Sequence, residues 1–148
     1  MSSYYTKVIP AEPFHRPDEA RLQKAADLLL DQLWAMEGKI NRSEAPVFID
    51  CGGLLEGIRC PFCKADAFDF WVGEMNTKYD GAGFRDLTAT LPCCGRKTTL
   101  DLLEYKAPCG FACDEIALLY PRKEPDEECI AQVEEILGTK VRVIQSRV

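Results

Sequence analysis

The chain has 148 residues and a formal net charge of −6, from 18 basic and 24 acidic side chains. Hydrophobic residues make up 47% and charged residues 28%, values that are ordinary for a globular protein and exclude a disordered chain or a coiled-coil rod. The length predicts one domain, with or without an insertion. No apolar run approaches the ~20 residues of a membrane span, and the first residues lack the apolar stretch of a secretory signal. We therefore expect a cytoplasmic protein with no membrane partner.

The first 53 residues predict a strand, a helix and a second strand. The first strand covers 6–10, and a helix follows Pro17 and ends at Gly38. Apolar residues recur in this helix at three- and four-residue steps and form one stripe, made of Leu22, Ala25, Ala26, Leu29, Leu33 and Met36. Residues 47–49 then predict a short buried strand.

The last third of the chain repeats the same plan. It predicts a strand over 111–120, a helix from Pro125 to Gly138 and a strand over 141–144. The apolar stripe of this helix consists of Cys129, Ile130, Val133, Ile136 and Leu137. The order of elements resembles the βαββαβ pattern of ferredoxin-like folds. The sequence therefore predicts a two-layer α+β domain built from residues 1–53 and 107–148, a fold that hosts many unrelated activities.

Residues 54–106, here called the middle segment, have a different pattern. Hydrophobic residues alternate in two short runs, which are Phe68, Phe70 and Val72, then Leu87, Ala89 and Leu91. Residues 76–83 are polar and contain glycine, which predicts a hairpin tip, and 98–103 predict a third strand. The middle segment is thus expected to be an inserted antiparallel sheet. Such a small sheet has little core and needs a further stabilising element.

Eight cysteines are the unusual feature of the composition. In a chain without an export signal, clustered cysteines usually indicate metal binding or catalysis. Cys60 and Cys63 form a Cys-x-x-Cys pair, and Cys93 and Cys94 form a second pair after 29 intervening residues. Zinc takes four such thiolates in a tetrahedron at about 2.3 Å. These four residues are therefore the predicted ligands of one structural Zn²⁺ per chain.

The Cys-Pro-x-Cys pair and the later Cys-Cys-Gly step resemble the knuckles of zinc ribbons, including small bacterial zinc-ribbon proteins whose activity is uncharacterised. The resemblance covers only the middle segment. It departs from the usual pattern at Leu91, where the first cysteine of a second Cys-x-x-Cys would stand. Either Cys93 turns inward to complete the site, or Cys51 or Cys109 does so from outside the ribbon.

The remaining candidates carry plainer interpretations. A redox-active Cys-x-x-Cys would open a helix, whereas the residues after Cys63 alternate, so redox catalysis and a disulfide between the two pairs are minor alternatives. Cys129 lies on an apolar helix stripe and is expected to be a buried thiol. A second metal site from Cys51, Cys109, Cys113 and Cys129 is a further alternative. The single histidine, His15, lies in a proline-rich loop, and no catalytic residue is predicted.

Charge distinguishes between the functions that a ribbon can serve. Residues 60–103 carry five basic and six acidic side chains, a net charge of −1, whereas phosphate binding needs a basic surface. Only Arg96 and Lys97 are basic beside the second pair. The aromatic residues Trp71, Tyr79 and Phe84 instead indicate a surface for a protein partner. The sequence thus favours a zinc-stabilised protein-interaction module, with a nucleic-acid-binding ribbon as the alternative and a zinc or thiol enzyme third.

Overall fold

The computed structural model describes residues 3–148. This part of the chain contains eight strands, three α-helices and the loops between them. In chain order the elements are β1 (Tyr4–Pro10), α1 (Glu19–Leu33), β2 (Glu37–Ile49), β3 (Ile58–Arg59), α2 (Phe68–Lys78), β4 (Thr88–Thr90), β5 (Lys97–Thr99), a 3₁₀ helix (Leu100–Leu102), β6 (Glu104–Tyr105), β7 (Gly110–Leu119), α3 (Glu127–Leu137) and β8 (Val141–Arg147).

A four-stranded antiparallel sheet in the order β2-β7-β1-β8 is the framework of the molecule. In its centre Val8 pairs with Ile116 of β7 on one side and with Val143 of β8 on the other. Alternation along β1 sends Val8 and Ile9 to opposite faces, and both are buried, so both faces are covered at this point. The architecture is α+β, as predicted.

Helices α1 and α3 pack together on one face of this sheet. Asp18 caps α1, since its carboxylate accepts a hydrogen bond from the backbone N–H of Arg21 at 2.8 Å. Asp126 caps α3 in the same way through the N–H of Cys129. One buried cluster joins the two helix stripes to the sheet and contains Val8, Leu22, Ala25, Ala26, Leu29, Leu33, Ile116, Leu118, Cys129, Val133 and Leu137.

The predicted end of the first helix is wrong. The helix ends at Leu33 because Trp34 adopts a left-handed conformation, with φ +52°, and its N–H bonds back to the last turn. Gly38 is instead part of β2, and Met36 lies outside the helix with 73% of its surface exposed. By contrast, Gly138 ends α3 in the left-handed conformation, as predicted.

The middle segment also differs from its prediction. Residues 68–78 form α2 rather than an alternating strand, because Trp71 and Met75 recur at helical spacing and pack with Phe70 onto the core of the segment. Residues 76–78 are therefore the last turn of α2 and not a hairpin tip. The expected three-stranded sheet is replaced by two separate pairs, β3 with β6 and β4 with β5.

The core of the middle segment is continuous with the sheet. Leu87, Ala89 and Leu91 are buried together, as their alternation predicts. Phe111 of β7 belongs to the same cluster, and its ring lies 5.4 Å from that of Phe84 between centroids. The middle segment is thus held against β7 by aromatic packing.

Candidate metal centre

The four predicted cysteines converge within the middle segment. The sulfur atoms of Cys60, Cys63, Cys93 and Cys94 all lie within 4.8 Å of one another. The Cys60 and Cys94 sulfurs are 3.8 Å apart, and those of Cys63 and Cys93 are 3.3 Å apart. Four sulfurs at about 2.3 Å from one tetrahedral ion would be separated by about 3.8 Å, so small shifts would fit them around it. This cluster could hold a metal ion.

The first pair lies on a tight backbone loop after β3. The Cys60 N–H donates to the Ala65 carbonyl at 2.8 Å, and the Lys64 N–H donates to the Cys60 carbonyl at 3.1 Å. Lys64 has a φ of +65°, which turns the chain back. The N–H groups of Phe62 and Cys63 point at the Cys60 sulfur, at 3.4 and 3.5 Å. The loop therefore holds Cys60 where two backbone dipoles favour a thiolate.

The second pair lies on a loop with the same backbone pattern. The Leu91 N–H donates to the Arg96 carbonyl at 2.9 Å, and the Gly95 N–H donates to the Leu91 carbonyl at 2.7 Å. Gly95 has a φ of +72° and matches Lys64 of the first loop. Leu91 thus takes the position of Cys60, and Cys94 takes that of Cys63.

This correspondence explains the departure from the usual knuckle. Leu91 has no sulfur, and its fully buried side chain instead packs into the core of the middle segment. The loop offers Cys93 as the additional thiol, and its sulfur lies beside that of Cys63. The Cys93 sulfur, and not that of Cys51 or Cys109, therefore lies in the cluster.

Hydrogen bonds within the cluster shift the pKa values of Cys60 and Cys93 in opposite directions. Desolvation raises the pKa of Cys60, but hydrogen bonds from the backbone of Cys63 and Phe62 and from neighbouring thiols outweigh it and lower this pKa to about 6. The hydrogen bond with Cys63, together with desolvation and the other two thiols, raises the pKa of Cys93 to about 12. Between these two residues, Cys60 is thus the one that ionises first. A divalent cation would displace the remaining protons.

Cations border the cluster on the protein surface. The Arg96 guanidinium lies 5.1 Å from the centre of the Phe62 ring. The Lys64 ammonium lies 2.6 Å from a carboxylate oxygen of Glu104, so its charge is neutralised. Cys60 is buried, whereas Cys63, Cys93 and Cys94 are exposed. The cluster is therefore open to an ion from solvent.

The other four cysteines do not join this cluster. Cys51 and Cys109 are buried with their sulfurs 3.3 Å apart. The Cys113 sulfur lies 3.8 Å from the Pro13 carbonyl oxygen, and Cys129 is buried between the helices, as predicted. In residues 3–148 only the four-cysteine cluster brings three or more candidate ligands together. Within these residues Cys51, Cys109, Cys113 and Cys129 form no second cluster, and neither Cys51 nor Cys109 lies in the first.

The prediction of an exposed aromatic surface in the middle segment is wrong for two of the three residues. Phe84 is 4% exposed, Trp71 packs partly buried against the core, and only Tyr79 is exposed. His15 is half-buried in the loop between β1 and α1.

An exposed apolar surface occurs instead at the C-terminal end of α1. It consists of Leu30, Trp34, Met36 and Tyr120, here called the Trp34 patch, and borders a shallow cavity of about 800 Å³. The one sequence signal for this patch was that Trp34 lies off the apolar stripe of the helix.

No family model, curated protein or solved structure matches the chain. None of the helices in the described residues combines the length and apolar character needed to cross a bilayer.

Proposed function

We propose that the chain binds one Zn²⁺ through Cys60, Cys63, Cys93 and Cys94. The convergence of four sulfurs from two matching backbone loops carries this proposal. Thiolates favour zinc over the hard cations that prefer oxygen ligands. Four protein ligands fill a tetrahedral sphere and leave no position for a water molecule or a substrate, which makes the role structural rather than catalytic. A reducing compartment such as the cytoplasm would keep the thiols available to the metal.

The proposed architecture is a ferredoxin-like domain interrupted by a zinc ribbon. The sheet order β2-β7-β1-β8, with two helices on one face and β-α-β halves on either side of the middle segment, supports the first part. The knuckle-like loops, each beside a short strand pair, support the second. In this arrangement residues 54–106 are the insertion, and zinc joins its two knuckle-like loops.

The function that we propose for this scaffold is binding to another protein. The Trp34 patch places an exposed tryptophan, a methionine and a tyrosine together, and Trp34 is 67% exposed. Aromatic residues and methionine are enriched at protein interfaces, and tryptophan and tyrosine are common among the residues that dominate binding energy. Asp27, Asp31 and Arg122 line the same cavity, and its two carboxylates outnumber the single guanidinium, which favours a partner with basic side chains beside an apolar centre.

A nucleic-acid-binding ribbon is the second candidate. Arg59, Lys64, Arg96 and Lys97 are exposed near the knuckles. However, Lys64 is paired with Glu104, and the acidic residues of the middle segment outnumber its basic ones. We therefore expect no salt-sensitive binding to DNA or RNA at physiological ionic strength. A gel shift that weakens steeply with salt would favour this second candidate.

Metal analysis together with native mass spectrometry tests the zinc proposal. The wild-type protein should carry one zinc per chain, and Cys60→Ser and Cys94→Ser should each release it at a chelator concentration at which the wild type keeps it. Cys129→Ser is the matched control, because this cysteine lies between the helices, and it should retain the metal. A wild-type protein that takes up no zinc on incubation with excess Zn²⁺ would refute the proposal.

Affinity capture with quantitative proteomics tests the partner. A specific partner should be retained by the wild type and lost by Trp34→Ala, with Tyr79→Ala as the control, since Tyr79 is exposed elsewhere. Equal retention by both variants would show that the Trp34 patch is not the binding surface.

A further inference from the structure

A cysteine lies at each of the two points where the chain passes between the sheet and the middle segment. Strand β2 ends at Ile49 and β7 begins at Gly110, so Cys51 and Cys109 lie at the two junctions. The two residues are 58 positions apart in the sequence. Their sulfurs nevertheless lie 3.3 Å apart, in a buried cluster with Ile9, Ile49, Ala112 and Ile144.

Hydrogen bonds from two arginines of β8 hold both junctions in place. The Cys51 carbonyl accepts a hydrogen bond from the Arg147 N–H at 3.2 Å, and the Cys109 carbonyl accepts one from the Arg142 guanidinium at 3.3 Å. Gly52 follows with a φ of +64°, and a Cβ added there would lie 2.0 Å from the Arg147 carbonyl oxygen. The chain direction at Cys51 therefore depends on a glycine pressed against β8. Because both backbones are anchored on one strand, the proximity of the two thiols is a property of the fold.

We propose that Cys51 and Cys109 are a redox-active dithiol that forms an intramolecular disulfide by exchange with a low-molecular-weight disulfide such as oxidised glutathione. One thiolate attacks the glutathione disulfide, forming a mixed disulfide and releasing one glutathione. The second cysteine then attacks the protein sulfur of that bond and releases the other glutathione. The two protein thiols lose two electrons and two protons, and the glutathione disulfide gains them as two thiols. The protein sulfurs must approach by about 1.3 Å to reach the ~2.05 Å of a disulfide.

The surroundings of the other cysteines single out this pair. Cys113 lies against a backbone carbonyl, and Cys129 lies in the core formed by the helices and the sheet. The four cysteines of the metal centre form a separate cluster. Burial, together with the hydrogen bond with Cys51, raises the pKa of Cys109 to about 12, so exchange should be slow at neutral pH and accelerate in alkaline buffer.

The disulfide would close the base of the middle segment. Cross-linking residues this far apart removes conformational freedom from the unfolded chain, which predicts an increase of roughly 10 °C in the thermal midpoint. The bond would also fix the middle segment to the sheet independently of the separate four-cysteine cluster.

Peptide mapping without reduction tests the proposal. Zinc-incubated protein is treated with excess oxidised glutathione at mildly alkaline pH, alkylated and digested with trypsin. Cleavage after Lys and Arg places Cys51 in peptide 43–59 and Cys109 in peptide 107–122, whereas the metal-centre cysteines fall in 60–64 and 86–96. We expect a linked peptide of 43–59 with 107–122, together with the increase in thermal midpoint.

Two variants assign the bond within the linked peptides. Peptide 107–122 also contains Cys113, so Cys113→Ser should retain the link and Cys51→Ser should abolish it. The wild-type result does not depend on whether a variant folds. If the link between 43–59 and 107–122 is absent in the wild type, the proposal is overturned, even if 60–64 and 86–96 become joined. A persistent glutathione adduct on Cys51 or Cys109 would overturn it too. Zinc content is measured separately on untreated protein, so a failure of the metal proposal is distinguishable from a failure of this one.

Discussion

Cys94 is the position where a metal site and a metal-free cysteine cluster predict different stabilities. Its side chain is exposed, so without metal Cys94→Ser should change the free energy of unfolding by no more than about 0.5 kcal/mol. As a zinc ligand it shares in the roughly 10–16 kcal/mol that a structural zinc site supplies to folding. If the four ligands contribute about equally, losing one should cost about 3 kcal/mol.

Chemical denaturation of the zinc-incubated wild type and of Cys94→Ser, each with and without a chelator, measures this difference. We expect the variant to be less stable by about 3 kcal/mol with zinc and nearly equal to the wild type once both are stripped. Cys129→Ser is the control, since its thiol is buried between helices, and its cost should be the same with and without chelator. A Cys94→Ser protein as stable as the zinc-incubated wild type would refute the assignment of Cys94 as a ligand.

Three further substitutions test the framework around the site. Gly52→Ala should destabilise the protein by at least about 2 kcal/mol in thermal denaturation, because Gly52 has positive φ and its Cβ would meet the Arg147 carbonyl. Asp114→Asn should cost about 2–3 kcal/mol in urea denaturation, since this fully buried carboxylate binds two arginines that stay about 40% exposed and can rehydrate. Tyr105→Phe should cost about 1 kcal/mol, because the Tyr105 hydroxyl donates to the Leu100 carbonyl at 2.7 Å. Desolvation raises the pKa of Tyr105 above its unfolded value, so its contribution is complete below about pH 10 and lost above, and the wild type should lose more stability than the variant on alkaline titration. Stabilities unchanged by these three substitutions would contradict the contacts described.

Elements with local signals were predictable from the sequence. Helix α3 has an apolar stripe and ends at Gly138, as predicted, and Asp126 caps its start. Helix α2 has no side-chain cap at its start, and its aromatic residues fit alternation as well as helical spacing. Packing of Trp71 onto the core decides between these patterns, and a single sequence does not show that packing.

The same distinction applies to the candidate site. The two cysteine pairs are local motifs, and their convergence was predictable from spacing. The roles of Leu91 and Cys93 depend on the backbone of the second loop. The contact between Cys51 and Cys109 depends on how β8 anchors both ends of the middle segment, which is a tertiary property. The Trp34 patch was hidden because α1 ends at a non-glycine residue in a left-handed conformation.

X-ray absorption spectroscopy at the zinc edge is the most direct test of the proposed four-thiolate site. On zinc-incubated protein, the structure predicts a single shell of four sulfur atoms at about 2.3 Å and no nitrogen or oxygen ligand. A shell with oxygen or nitrogen scatterers at about 2.0–2.1 Å would contradict closure of the site by Cys60, Cys63, Cys93 and Cys94.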